Sequence, residues 1–222
     1  MNFIKKLAGE TVIYGLGSVL PKILNFLILA PYLTRIFATD AYGIHGIIYG
    51  FAGLMIVFTT FRMETSFFRF ASKNQHSIGE TYSTGFIGVL IVSVLWFFIM
   101  ISFSDTISNW LNIPGNAIYI KYFAWIVLFD ALSALSFARL RMENKAKKFA
   151  WIKIINVLVN VIVIIFFLEV CPYLYQNKPE SVNWFYDQTK ELDYVFIANL
   201  VASFFVFLLL LPILIKAKIV FN

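Results

Sequence analysis

Six apolar windows, each close to the length of a membrane-crossing helix, fill almost the whole of this 222-residue chain. A helix rises about 1.5 Å per residue, so a hydrocarbon core of about 30 Å takes about 20 apolar residues. The windows are Thr11–Phe37, Ala41–Phe61, Thr84–Phe103, Ala117–Phe137, Phe149–Glu169 and Tyr194–Ile215. Lipid offers backbone groups no hydrogen bonds, so each window must be helical. The expected fold is therefore all-α: a single integral-membrane lobe of six transmembrane helices spanning residues 1–222. With 60% hydrophobic residues, 14% charged and a mean hydropathy of +0.81, the chain is too apolar for a water-soluble domain.

The charges between the windows fix an orientation. With the N-terminus in the cytoplasm, the inner side holds twelve basic residues: Lys5, Lys6, Arg69, Lys73, Arg139, Arg141, Lys145, Lys147, Lys148, Lys153, Lys216 and Lys218. The outer side holds four, Arg35, Lys121, Lys178 and Lys190. That bias predicts a multi-pass membrane protein with both termini in the cytoplasm. The basic run Arg139–Lys148 then reads as a short cytoplasmic loop that can rest on anionic membrane lipids, not as a nucleic-acid site. The connection Val170–Asp193, with two basic and four acidic residues, suits an exported loop. A single cysteine, Cys171, makes no internal disulfide and has no neighbours at metal-ligand spacing.

Polar residues inside the windows are the candidate site. Ser18, Lys22 and Asn25 fall at i, i+4, i+7 on one helical face. Lys22 lies roughly 16 Å from the inner end, and Asp130 in the fourth window roughly 10 Å above that boundary. A charge facing lipid there costs about 2.5–3.5 kcal/mol, so both should face the bundle interior. Either they pair across two helices, or Lys22 faces a wet, substrate-holding cavity. Arg62, Glu64 and Arg69 gather near the inner end of the second window. They read as an interfacial ion-pair cluster or as an anion entrance where arginine forks meet phosphate oxygens. Lys153, Asn156 and Asn160 form another one-face stripe, suited to interhelical amide bonds or to sugar binding, and His45 shares a face with Tyr42 and Tyr49. Gly15, Gly17, Gly43, Gly46, Gly50 and Gly53 offer small-residue packing surfaces, while Pro21 and Pro31 should bend the first helix.

No sequence pattern for an enzyme occurs. There is no HExxH, GxSxG, GxxxxGK[ST] or CxxC, so neither catalysis nor a cofactor or metal is expected.

The wording of the first third is informative. It reads G-L-G-S-V-L-P-K from Gly15, D-A-Y-G from Asp40 and R-M-E-T-S-F-F-R-F from Arg62. Over residues 8–72 this resembles Wzx-like bacterial oligosaccharide flippases, the polysaccharide export proteins of the multidrug/oligosaccharidyl-lipid/polysaccharide exporter superfamily. The resemblance implies a lobe of a larger exporter of twelve or more helices, with a central cavity that alternates its access. It implies undecaprenyl-pyrophosphate-linked oligosaccharide as cargo, with Lys22 and Arg62 as lumen cations. Ser18, Asn25 and Arg69 would assist, and Asp130 and Glu64 would serve as charge partners or coupling groups. The chain ends just after its sixth window, so on this resemblance it is the N-terminal lobe and its partner is a C-terminal one. A peptidoglycan-precursor flippase, a cation-coupled drug exporter and a non-transporting assembly subunit are the alternatives.

Overall fold

A computed structural model describes residues 3–73 and 78–215, apart from the side chains of residues 3–8, 10, 25 and 26. Among the described residues there is no strand. Six helical spans are long and apolar enough to cross a membrane: Thr11–Ile36, Thr39–Ala71, Ile78–Ser102, Ala117–Met142, Ala146–Asn177 and Gln188–Ile215. They are called the first to sixth spans below.

The fourth span is the axis of the bundle. Of its most hydrophobic stretch 67% is buried inside the protein, against 12% for the first span. Ile120, Phe123, Ala131, Leu135, Ala138 and Leu140 of this helix are all essentially inaccessible. The third and sixth spans pack along it, and the second lies beside them. Near the end that carries the chain termini, the buried Tyr82 and Ser136 hydroxyls hydrogen-bond at 2.8 Å, joining third and fourth spans. Lipid-facing positions such as Leu95, Phe98 and Ile162 stay exposed, as expected where the solvent is hydrocarbon.

Three spans depart from straight α-helices, each for a backbone reason. The first is α-helical over Phe3–Leu24, widens to a π turn over Asn25–Leu29 and resumes at Ala30–Ile36. Pro31 has no N–H for the Leu27 carbonyl, so the turn before it is free to expand. The fifth span repeats this, with a π turn over Phe166–Val170 ahead of Pro172. Pro21, expected to bend the first helix, lies inside its α-helical part, Phe3–Leu24. The second span breaks at Phe61 and Arg62, both left-handed at φ 44 and 49, and restarts as Met63–Ala71. Non-glycine residues adopt that conformation at a cost of order 1–3 kcal/mol each, so packing on both sides must hold the break.

Connections are shorter than the sequence windows suggest. Only Glu143–Lys145 separates the fourth and fifth spans, so Arg139 and Arg141 sit on helix and not in a loop. Glu143 receives Arg139 at 2.7 Å and Lys145 at 2.6 Å. Burial alone would raise its carboxyl pKa, but hydrogen bonds from Lys145 and Arg139 outweigh that and hold it below the ordinary glutamate range. The stretch after Val170 is also built: Cys171–Asn177 continues the helix, and Cys171, Val182, Tyr186 and Tyr194 form a small core beneath it. Trp110 and Trp184 are 73% and 82% exposed near that end of the bundle, where indoles anchor at a headgroup boundary.

The glycines do not behave alike. A Cβ on Gly17 would lie 3.0 Å from the Cα and Cβ of Ala150, so the first span touches the fifth backbone to backbone. The same atom on Gly15, Gly43, Gly46, Gly50 or Gly53 meets nothing within 4 Å. Those positions therefore do not pack helices within this chain. Gly17→Leu should destabilise the protein by about 1–3 kcal/mol through overpacking, whereas Gly15→Leu should be neutral or slightly stabilising. Thermal unfolding in a mild detergent checks this, and equal melting temperatures for the two variants would contradict the close contact.

Candidate functional site: a polar cavity between five helices

The polar stripes read from the sequence converge on one space. Asp130, Ala134, Phe137 and Arg141 recur at i, i+4, i+7, i+11 on the fourth span, and Phe149, Lys153 and Asn156 follow the same rule on the fifth. Asn199, Ser203 and Val206 do so on the sixth, and Ser18 and Lys22 on the first. All of these, with Ile56 and Glu64 of the second span, line a cavity of about 480 Å³. The tight Gly17–Ala150 crossing sets the first span at the height that puts Lys22 on this wall.

Five formal charges share the space: Lys22, Arg141 and Lys153 against Glu64 and Asp130. Arg141 ion-pairs with Glu64 and lies over the rings of Phe68, at 5.3 Å, and Phe149, at 5.8 Å. Its Nε is buried without a hydrogen-bond partner among the described residues. Asp130 opens to the cavity, shares its wall with Ser203 and feels the positive field of Lys153. The Lys153 ammonium stands 4.0 Å from the centre of the Phe137 ring, a cation–π contact that holds the chain against the fourth span. Lys22 is exposed to the cavity and makes no ion pair among the described residues. The arrangement leaves one net positive charge, with Lys22 the cation free to meet a ligand.

Not every expected residue arrives here. Lys22 and Asp130 line one cavity with no ion pair between them among the described residues, and the positive field at Asp130 comes from Lys153. Of the expected Arg62–Glu64–Arg69 cluster, Arg62 and Glu64 share a cavity wall and Arg69 stands apart. The left-handed pair at Phe61 and Arg62 turns Glu64 inward to Arg141, while Arg62 lines an adjoining cavity of about 260 Å³ with Thr60, Glu64 and Thr65. Arg69, near the end of the restarted helix, is exposed and lines neither cavity. Asn25 opens the π turn, and its side chain lies outside the described residues. Two cations of the cavity were not singled out as lumen groups from the sequence. Arg141 was counted with the loop, although its i+4 and i+7 relation to Phe137 and Ala134 places it on the face of Asp130. Lys153 was read only as part of an asparagine stripe.

A second cavity of about 370 Å³ continues from the first toward the end opposite the termini, sharing Asn156 and Asn199 with it. Its walls include Tyr42, His45, Gly46, Tyr49 and Asn160. The His45 ring stacks on Tyr42 at 5.5 Å and on Tyr49 at 4.3 Å. The Asn199 amide donates to the Tyr49 hydroxyl at 3.0 Å. Beyond it, the Tyr32 hydroxyl donates to Glu169 at 2.8 Å, joining the two spans that carry π turns. Among the described residues no group of three His, Cys, Asp or Glu side chains is placed to hold a metal ion.

A family model described as polysaccharide biosynthesis protein matches residues 32–170. The match covers more than half of the chain, from the end of the first span to the π turn of the fifth, and the chain belongs to that family. No curated protein and no solved structure matches it.

The charge arrangement has a measurable signature. Lys153→Met strands the Asp130 carboxylate and should destabilise the fold, whereas adding Asp130→Asn should restore more than half of the loss, a coupling of about 1–3 kcal/mol. The corresponding cycle between Lys22 and Asp130 should be additive within about 0.5 kcal/mol. Unfolding of the five variants, three single and two double, reads both cycles, and strong coupling of Lys22 to Asp130 would reverse the assignment.

Proposed function

We propose that this member of the polysaccharide biosynthesis family moves an undecaprenyl-pyrophosphate-linked oligosaccharide across the bacterial cytoplasmic membrane, its six helices forming one lobe of the transporter. The observation that carries the reading is the cavity beside the middle of the first span, with Lys22 on its wall and without an ion pair among the described residues. Hydrocarbon does not tolerate such a group, so a residue held there by a whole helix face marks a path for something charged. The sign of the cavity, three cations against two carboxylates, selects an anion. Lysine meets a pyrophosphate as a point charge and arginine as a fork, and both are present.

The cargo need not be chemically altered, and the transport reading asks only for binding and a change of access. The cavity is lined from one body, and Gly43, Gly46, Gly50 and Gly53 leave open space along the second span. A second six-helix body facing that side, as the C-terminal lobe or as another copy, would complete the wall. Rocking of two bodies about a midplane site is the general route to alternating access. The break at Phe61 and Arg62 supplies a natural pivot, because Met63–Ala71 carries Glu64, which ion-pairs with Arg141 on the cavity wall. The positive-inside bias puts Met63–Ala71 at the cytoplasmic end, with both chain termini.

The alternatives fit less well. A cation-coupled exporter favours an excess of carboxylates around its ion, and here three cations face two carboxylates. A non-transporting subunit has no use for an unpaired lysine at this depth.

In cells that lack their own transporter, Lys22→Ala should reduce surface polysaccharide by about tenfold or more at matched protein level, equivalent to ~1.4 kcal/mol of lost binding. Lys22→Arg should keep most of it. Normal export by Lys22→Ala would remove the basis of the reading.

A further inference from the structure

We propose that the second cavity, between Tyr42–Tyr49 of the second span and Asn156–Asn160 of the fifth, is a binding subsite for the sugar part of the cargo, next to the charged cavity that takes its pyrophosphate. The inference rests on the transport reading and adds where the cargo's neutral portion is recognised. Three observations carry it.

The first is charge. Lys22, Glu64, Asp130, Arg141 and Lys153 all lie in the charged cavity, and none of them lines the second. An anion or a cation has nothing to bind there. Yet the walls are not apolar either, because three asparagine amides, two tyrosines and a histidine face the space. A neutral ligand rich in hydrogen-bonding groups fits this lining, and a purely hydrophobic one does not.

The second is the set of unspent amides. Asn156 and Asn160 lie one turn apart on one helical face, and neither makes a hydrogen bond to the protein among the described residues. Each offers two N–H donors and a carbonyl acceptor. An amide left unmet in an apolar medium costs about 2–7 kcal/mol, so these two must be satisfied from the cavity. Adjacent sugar hydroxyls present a donor and an acceptor at the spacing of one amide. Asn199 is held for the same purpose: one N–H is spent on Tyr49, which fixes the plane and points the remainder inward.

The third is shape. The rings of Tyr42, His45 and Tyr49 pack on one another along the opposite wall, which holds them as a fixed aromatic surface for the ligand. Gly46 stands between these rings with open space where its Cβ would be, so a ligand can approach the backbone closely. At about 370 Å³ the cavity matches the size of a small-ligand site and not that of a single trapped water. Because Asn156 and Asn199 border both cavities, one molecule can place its charged group against Lys22 and its sugars beside His45.

The test is a binding comparison on the full-length protein in lipid nanodiscs, with two probes. One is bare undecaprenyl pyrophosphate, and the other is the same carrier bearing oligosaccharide extracted from the producing cells. The wild-type protein should bind the sugar-bearing carrier about tenfold more tightly than the bare one. Asn160→Leu should lose most of that advantage while binding the bare carrier within about twofold of wild type. Tyr42→Leu, on the opposite wall, should do the same, so the result does not depend on one variant folding. Lys22→Ala should weaken both probes. If the bare carrier does not bind, or Lys22→Ala binds it normally, the transport reading fails and takes this one with it. If the bare carrier binds but sugars add nothing, or both wall variants keep the full advantage, the sugar subsite alone is overturned.

Discussion

Hydrocarbon has no hydrogen bonds to give, and every feature of this bundle follows from that refusal. Backbone groups are satisfied within helices, which is why six apolar windows become six spans and the described residues hold no strand. Side chains face the same constraint. Five charges on the first, second, fourth and fifth spans can escape lipid only by turning toward a shared space, and they do so. A cavity here is the necessary meeting place of groups that the membrane rejects. The partition within it is electrostatic: Arg141 pairs with Glu64, Lys153 rests against the Phe137 ring with its field on Asp130, and Lys22 makes no ion pair among the described residues.

Irregular backbone occurs in three of the spans that line this space. Two π turns, each ahead of a proline, lie in the first and fifth spans, and the Tyr32–Glu169 hydrogen bond ties those spans together. The left-handed pair at Phe61 and Arg62 ends the second span's long helix beside Glu64. Widened and broken turns leave carbonyls that neighbours or water must meet, so they are tolerable in a membrane protein only where they border protein or a wet cavity. Their placement marks the first, second and fifth spans as the ones able to change shape, around a fourth span that is buried on nearly every side.

The span count and the all-helical class were legible because they rest on length and hydropathy, which are local. Ser18 and Lys22 were legible as cavity residues because helical periodicity and depth can be computed along one helix. What one helix cannot reveal is its neighbour. Asp130 lies at a height that two lysines can reach, and only packing decides for Lys153. Arg141 was hidden by its company: in the run from Arg139 to Lys148 it reads as loop, although the helix persists to Met142. The inward turn of Glu64 depends on two left-handed non-glycine residues, a conformation without a sequence signature. The glycines of the second span suggested helix contacts, yet only Gly17 of the first makes so close an approach; small residues permit a contact without requiring one.

The central claim is that the space between the helices is aqueous and polar while the outer face is lipid. Thiol labelling tests it directly, since reaction needs the thiolate and therefore water. In a Cys171→Ser background, Ser18→Cys on the cavity wall and Ile162→Cys, 63% exposed on the outer face, should differ sharply toward a small charged thiol reagent in membranes. Reaction at Ser18→Cys should be at least about tenfold faster. Equal rates, or faster reaction at Ile162→Cys, would mean that the charged stripe is not solvated and that the cavity is no path for an anion.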